Sequence, residues 1–149
     1  MLTFVLGGAR SGKSRHAQAL CQKVAQVIFV ATALVANTDE EMCARISRHR
    51  AERPHEWITI EETINLARAV REASPPDATL LVDCITLWVS NLMWEYQALA
   101  NDQHESLILE RAAKFAKATH ERQVGAVSNE VGSGIVPGNQ VGRAFRDLR

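Results

Sequence analysis

The sequence predicts the α/β class, a mostly parallel sheet with helices on both faces. Three observations carry this. The runs "LTFVL" (2–6), "QVIFVAT" (26–32), "ATLLVD" (78–83) and "QVGAVSNEV" (123–131) are apolar without alternation, as strands buried on both faces are. Segments of helical character separate them, the pattern of a covered parallel sheet. The first run ends in glycines and leads into "GGARSGKS" (7–14), which fits G-x-x-x-x-G-K-[ST] between a strand and a helix.

In order, "LTFVL" reads as a buried strand and "SGKSRHAQALCQKVA" (11–25) as a helix. The run 26–32 is a second buried strand. "TDEE" pairs Thr38 with Glu41 in a capping-box pattern and starts a helix. That helix stops near "ERP", because the residue before a proline avoids helical backbone angles. "WITI" (57–60) is a candidate short strand. "EETINLARAVREA" reads as a helix ended by "SPPD". After the strand 78–83, two helical stretches run over 86–99 and 104–120, with a break near "AND". The strand 123–131 precedes a glycine- and proline-rich loop, "GSGIVPGN", and "NQVGRAFRDLR" begins a helix. No repeat, low-complexity tract or linker interrupts the order, so one domain over 1–149 is expected.

The chain has 149 residues, 46% of them hydrophobic and 23% charged, which is ordinary globular usage. Seventeen basic residues balance seventeen acidic ones, so bulk charge gives no reason to expect nucleic acid or a membrane surface as partner. Cys21, Cys43 and Cys84 are odd in number and widely spaced. That disfavours a disulfide framework or a zinc site and suits a reducing cytoplasm. No apolar run is long enough for a membrane span.

The motif 7–14 is a phosphate-binding loop of the kind that defines P-loop NTPase-like folds. Glycines let backbone N–H groups wrap phosphate oxygens. Lys13 neutralises the outer phosphates, and the Ser14 hydroxyl can ligate Mg²⁺. The following helix directs its positive end at the same anion. "LLVD" (80–83) is an apolar strand ending in a carboxylate, which can bring Asp83 to the magnesium. A strand-end turn is the plain alternative for Asp83.

"CARISRHRAERP" (43–54) sets His49 between Arg48 and Arg50. On a helix, Met42, Ile46, His49 and Arg53 fall on one face. One reading is a half-buried, hydrogen-bonded histidine on an amphipathic helix. The other gives the cluster chemistry: arginines clamp a triphosphate, or His49 attacks phosphorus to form a covalent intermediate. His16, His55, His104 and His120 carry no such signal. In "SNEVGSGIVP" (128–137), Asn129 and Glu130 stand at the carboxyl end of a strand, where ligands bind in open parallel sheets. Gly132 and Gly134 allow close approach of backbone. These four form a possible substrate loop, or an irregular loop whose glycines only satisfy turns.

The sequence resembles the bifunctional adenosylcobinamide kinase / adenosylcobinamide-phosphate guanylyltransferase family of cobalamin biosynthesis. The resemblance rests on "GGARSGKSRHAQAL", "FVATA", "MCARISRHRAERPHEW", "LLVDCITLWVSNL" and "SNEVGSGIVPGNQVGRAFRD", in family order across the chain. It implies phosphorylation of adenosylcobinamide by ATP or GTP. Transfer of GMP from GTP to the resulting phosphate follows, through a GMP–histidine intermediate. By motif position that histidine is His49. Nucleotide contacts carry over onto Gly7, Gly8, Ala9, Arg10, Ser11, Gly12, Lys13 and Ser14. They also carry over onto Thr32, Ala33 and Leu34, onto Arg50, Ala51, Glu52 and Arg53, and onto Glu61 and Asp83. The resemblance also implies a homotrimer. Family chains continue past "FRDLR" through another helix and strand. This sequence does not contain them, so an open sheet edge with uncovered apolar surface is expected.

Two other functions fit the phosphate loop alone. A different small-molecule kinase would use Lys13, Asp83 and the arginines but never modify His49. A nucleotide-binding regulatory module, or an inactive remnant, would bind without turnover. Against a GTPase-like switch, no N-K-x-D guanine motif occurs in the sequence.

Overall fold

The computed structural model describes residues 1–33 and 40–131, with the side chains of Glu41, Met42, Arg45 and Asn101 left aside. The expected contacts of Leu34, Gly132 and Gly134, the Thr38 cap and the elements after 131 lie outside the described residues.

Among the described residues, five strands form one parallel sheet: β1 (Leu2–Gly7), β2 (Val27–Ala31), β3 (Ile58–Glu61), β4 (Thr79–Asp83) and β5 (Val124–Asn129). Their spatial order is β1-β5-β4-β2-β3, every neighbouring pair being parallel. The helices are α1 (Lys13–Cys21), α2 (Glu40–Ala51), α3 (Leu66–Glu72), α4 (Ile85–Glu95) and α5 (Asn101–Ala118). A 3₁₀ turn, Thr119–Glu121, joins α5 to β5.

The unbroken apolar runs follow from burial on both faces. Ile28, Val30, Leu80, Val82, Val124 and Ala126 pack with residues of α3, α4 and α5. Their alternates Val27, Phe29, Leu81 and Val127 pack with Ala17 and Cys21 of α1. Gly125 sits where strands crowd, since a Cβ there would lie 3.2 Å from Leu81 Cδ1.

Two expectations are corrected. β1 is not a buried strand: it pairs only with β5 and forms one edge of the described sheet. Phe4 and Leu6 are 50% and 65% exposed there. The helix read into "EETINLARAVREA" begins late, at Leu66. Glu62 Oε1 accepts the backbone N–H groups of Ile64 (2.9 Å) and Asn65 (2.8 Å), so its carboxylate builds a turn before the first helical residue. The other elements within the described residues match the reading with small shifts at their ends. The Ser74–Pro75 and Asp83–Cys84 peptide bonds are cis.

Candidate active site

The site gathers at the carboxyl ends of the strands, where loops leave a parallel sheet. One cavity is lined by Lys13 and Ser14 of the phosphate loop, Ala31 and Ala33 after β2, His49, Arg50 and Arg53 around the end of α2, Glu61 of β3, Asp83 of β4 and Asn129 of β5. Residues far apart in sequence therefore face one space.

The loop geometry follows from its residue types. Gly12 caps α1 at φ 83°, in the left-handed region that favours glycine. Arg10 shares that region at φ 59°. A Cβ on Gly7 would lie 2.8 Å from Ser11 Oγ, so a larger residue there would push the Ser11 hydroxyl aside. Glu130 N–H bonds Gly7 O at 3.0 Å and ties the end of β5 to the loop. Lys13 is buried, and its ammonium donates to Gly8 O at 3.1 Å. That contact holds the charge inside the loop, where it can be exchanged for a phosphate oxygen.

Strand register sets the cavity floor. Ala31 pairs with Asp83 on one side and Glu61 on the other. Two carboxylates thus flank a small residue on one sheet face, leaving room between them. One row earlier, Phe29 pairs with Thr59. The Arg53 guanidinium stacks 3.5 Å from the Phe29 ring centroid, a cation–π contact. Its Nη1 reaches Thr59 Oγ1 at 3.5 Å, while Nε is buried without a partner among the described residues. Burial pulls the Arg53 pKa below its ordinary value, and neighbouring Arg50 adds to this against the opposing pull of Asp83 and Glu61. Arg50 lies 3.9 Å from Glu61, both largely exposed.

Behind the floor, Thr32 is fully buried. Its hydroxyl donates to Cys84 O (2.9 Å) and accepts from Cys84 N–H (2.8 Å). Thr32 N–H bonds Asp83 O at 3.2 Å. Asn91 Nδ2 donates to Thr32 O (2.8 Å) and Thr63 O (3.2 Å). The residues beside Asp83 and Glu61 are thus tied to one another. Burial pushes the Cys84 thiol pKa up, so it stays neutral near pH 7. Thr86 Oγ1 accepts Asn129 N–H at 2.7 Å, holding the last residue of β5.

A family described as cobinamide kinase / cobinamide phosphate guanyltransferase, CobU, matches residues 3–149. The chain belongs to the CobU family. It is 40% identical over 162 residues to the bifunctional adenosylcobalamin biosynthesis protein CobU of Escherichia coli K12, covering 99% of this chain and 85% of that one. The Salmonella typhimurium LT2 protein of the same name is 39% identical over 160 residues, with the same coverage. The bifunctional adenosylcobalamin biosynthesis protein CobP of Pseudomonas aeruginosa PAO1 is 38% identical over 148 residues, covering 99% and 82%. Among solved structures, a type III secretion system ATPase superposes with a TM-score of 0.60 at 11% identity, over 98% of this chain and 48% of that one. At that identity the likeness is one of fold, and it agrees with an α/β P-loop NTPase-like architecture.

For this CobU-family chain the predicted residues divide three ways. Lys13, Ser14, Ala33, His49, Arg50, Arg53, Glu61, Asp83 and Asn129 line the cavity together. Gly7, Gly8, Ala9, Arg10, Ser11 and Gly12 form the loop before α1. Thr32, Ala51, Glu52 and Glu130 do not line the cavity. The Thr32 hydroxyl is turned to Cys84, and Glu52 lies 4.0 Å from Arg15. Sequence reasoning missed Phe29, Ala31, Ile46, Thr59, Cys84 and Leu87 as cavity walls. Alternation along β3 was the available signal for Thr59, two residues before Glu61. Among the described residues, no group of three His, Cys, Asp or Glu side chains is placed to hold a metal, and no helix is long and apolar enough to cross a membrane.

Proposed function

We propose that this chain phosphorylates the aminopropanol hydroxyl of adenosylcobinamide with a nucleoside triphosphate, ATP or GTP. It then transfers GMP from GTP to adenosylcobinamide phosphate. The carrying observation is that His49 lines the same cavity as Lys13, Ser14 and Asp83, with Arg50 and Arg53 beside it. A helix histidine among arginines is common; one that faces a phosphate loop is placed for nucleophilic work.

In the transfer, an imidazole nitrogen of His49 attacks the α-phosphorus of GTP. The bond to the bridging oxygen breaks, and pyrophosphate leaves with those electrons. A phosphate oxygen of adenosylcobinamide phosphate then attacks the same phosphorus, the P–N bond breaks, and the imidazole is regenerated with adenosylcobinamide-GDP as product. Lys13, Arg50 and Arg53 supply positive charge where phosphate charge develops. Lys13 serves the kinase step in the same way. The backbone of residues 7–12 cradles the phosphates, and Glu61 pairs with Arg50 at the edge of the nucleotide space. In this reading Ala33 and Leu34 complete the nucleotide surroundings; Thr32, Ala51 and Glu52 lie outside the cavity lining.

Ser14 and Asp83 fit Mg²⁺: two hard oxygen donors beside Lys13, with no third side chain required, since magnesium keeps waters and phosphate oxygens as its other ligands. When bound there, the ion would neutralise charge on the phosphates. Asn129 and Glu130, with Gly132 and Gly134, form the substrate loop in this reading. This reading also takes the chain as a single domain on its length, cytoplasmic on its cysteine usage, and a homotrimer by family resemblance.

The test is GTP labelled at the α-phosphate, with the wild-type chain and His49→Ala. We expect a covalent label that is acid-labile, stable in base and absent from the variant. An unlabelled wild-type protein that is folded and binds GTP would refute the guanylyl half-reaction and leave a kinase only.

A further inference from the structure

A second cavity lies away from the strand ends, between α3 and α5. It encloses about 520 Å³, within the range of small-ligand sites. Its lining holds Arg68, Arg71, Arg111, Lys114 and Lys117 against one carboxylate, Glu121. In a chain with equal numbers of acids and bases, that is a local excess. Helical spacing produces it. Arg68 and Arg71 are three residues apart on α3, and Arg111, Lys114 and Lys117 step by three along α5, so each helix turns a cationic stripe to the groove.

Two of these charges are already answered. Arg68 Nη2 lies 3.1 Å from Glu62 Oε2, and Lys114 pairs with Glu110. Arg111 spends one nitrogen on Asn65 Oδ1 at 2.8 Å, and its Nε is buried with no hydrogen-bond partner among the described residues. Arg71 and Lys117 are exposed, and neither has an ion pair among the described residues. Three cations therefore face one carboxylate. Like charges on neighbouring helical positions destabilise unless an anion answers them.

The walls are fixed before any ligand arrives. Arg122 donates to Val70 O (3.2 Å), Ala73 O (2.9 Å) and Pro75 O (3.1 Å), tying the end of α3 to the turn after α5. At the floor, Trp88 donates to Ile64 O at 2.9 Å and packs on Phe115. Rigid walls, unanswered guanidinium groups and open volume are the parts of a multiply charged anion site.

We propose that the α3–α5 groove binds a di- or triphosphate group, separately from the cavity at the strand ends. The ligand is inorganic polyphosphate or the phosphate tail of a nucleotide, which share this chemistry. The groove site itself does not rest on the transferase reading; only the labelling control does. The test is calorimetric titration of the whole chain with sodium tripolyphosphate at low salt. We expect two saturable sites in the wild type. Arg71→Gln with Lys117→Gln should abolish one or weaken it at least tenfold, while leaving GTP-dependent labelling of His49 unchanged. Lys13→Gln should remove the other. Titrating the Lys13→Gln protein with GTP as well separates the sources. Binding of both ligands means the groove takes a nucleotide's phosphate tail. Binding of tripolyphosphate alone means it takes the inorganic anion. A single site in the wild type that Lys13→Gln removes and the Arg71/Lys117 pair leaves intact overturns the proposal. So does groove-independent affinity, meaning the Arg71/Lys117 pair changes nothing in a protein with native circular dichroism. So does a change in oligomer size on substitution without any change in tripolyphosphate binding, which would make the groove a subunit contact.

Discussion

Replacing Thr32 sets two contributions to stability against each other. Thr32→Val keeps the shape and removes the hydroxyl. Thr32→Ser keeps the hydroxyl and removes a methyl group. Thr32 is fully buried and bonds both backbone groups of Cys84. Cys84 O keeps a second partner, since Trp88 N–H reaches it at 3.1 Å. The Cys84 N–H does not, so Val leaves a buried donor unanswered, at about 1–3 kcal/mol. The lost bond to Cys84 O adds about 0.5–1.5 kcal/mol, and the extra apolar group returns about 0.8 kcal/mol. The expected net cost of Val is about 2 kcal/mol. Ser loses one buried methyl, about 1 kcal/mol. If packing governed this site, the order would reverse. Urea unfolding with a common m-value measures both. The Val variant should be the less stable by about 1 kcal/mol, and its labelling by GTP should fall at least about tenfold, because the lost bonds hold Cys84, the residue next to Asp83. A Val variant as stable as Ser, or more so, refutes the reasoning.

Arg53→Met keeps an unbranched chain over Phe29 and removes a charge that burial already disfavours. Stability should stay within about 1 kcal/mol of wild type while GTP affinity falls roughly 10- to 100-fold, the loss of one charged hydrogen bond; melting curves and calorimetry check the two separately. Gly12→Ala meets no neighbouring atom but must adopt φ 83°, so it should cost about 1–2 kcal/mol through backbone strain alone, and Gly12→Asn less; equal costs in urea would contradict this. Burial alone would raise the Glu62 pKa, but the Asn65 and Ile64 N–H groups and Arg68 outweigh it and hold the carboxyl below its ordinary value. Its stabilisation is therefore present above about pH 4.3, the unfolded value, and is lost as pH falls through the lower folded value. Unfolding midpoints between neutral pH and pH 3.5 should fall more steeply for the wild type than for Glu62→Gln.

The legible parts of this chain are those with local causes. A run such as "LLVD" is a buried strand because period and length say so, and its carboxylate arrives at the ligand edge because strands end there. The glycines of 7–14 declare the loop by conformation alone. His49 was assigned to the face of Ile46, and both line the cavity. What stayed hidden depends on pairing between distant segments. Nothing near Arg53 announces Phe29 and Thr59, because that contact exists only once β2 and β3 are in register. The edge position of β1 is equally non-local: "LTFVL" is as apolar as the central strands, and only topology separates them. The late start of α3 turns on one carboxylate, Glu62, capping a turn instead of continuing a helix.

The register of the central strands also bears on how one cavity can serve two reactions. A kinase step needs the terminal phosphorus of a nucleotide opposite a hydroxyl; with His49 as the proposed nucleophile, a nucleotidyl step needs the innermost phosphorus opposite that imidazole. Lys13 and Ser14 approach from the phosphate loop, and Arg50 and Arg53 from the end of α2. Between them the floor is the row Asp83, Ala31, Glu61, with its only small residue in the middle. A bulky side chain at 31 would fill the gap between the carboxylates and force the phosphates toward one cation group or the other. Ala31→Val, on a strand that favours branched residues, should therefore leave the sheet intact yet separate the two activities. Loss of both in equal measure would mean that the row is only a floor, and that the phosphate chain is placed by the loop alone.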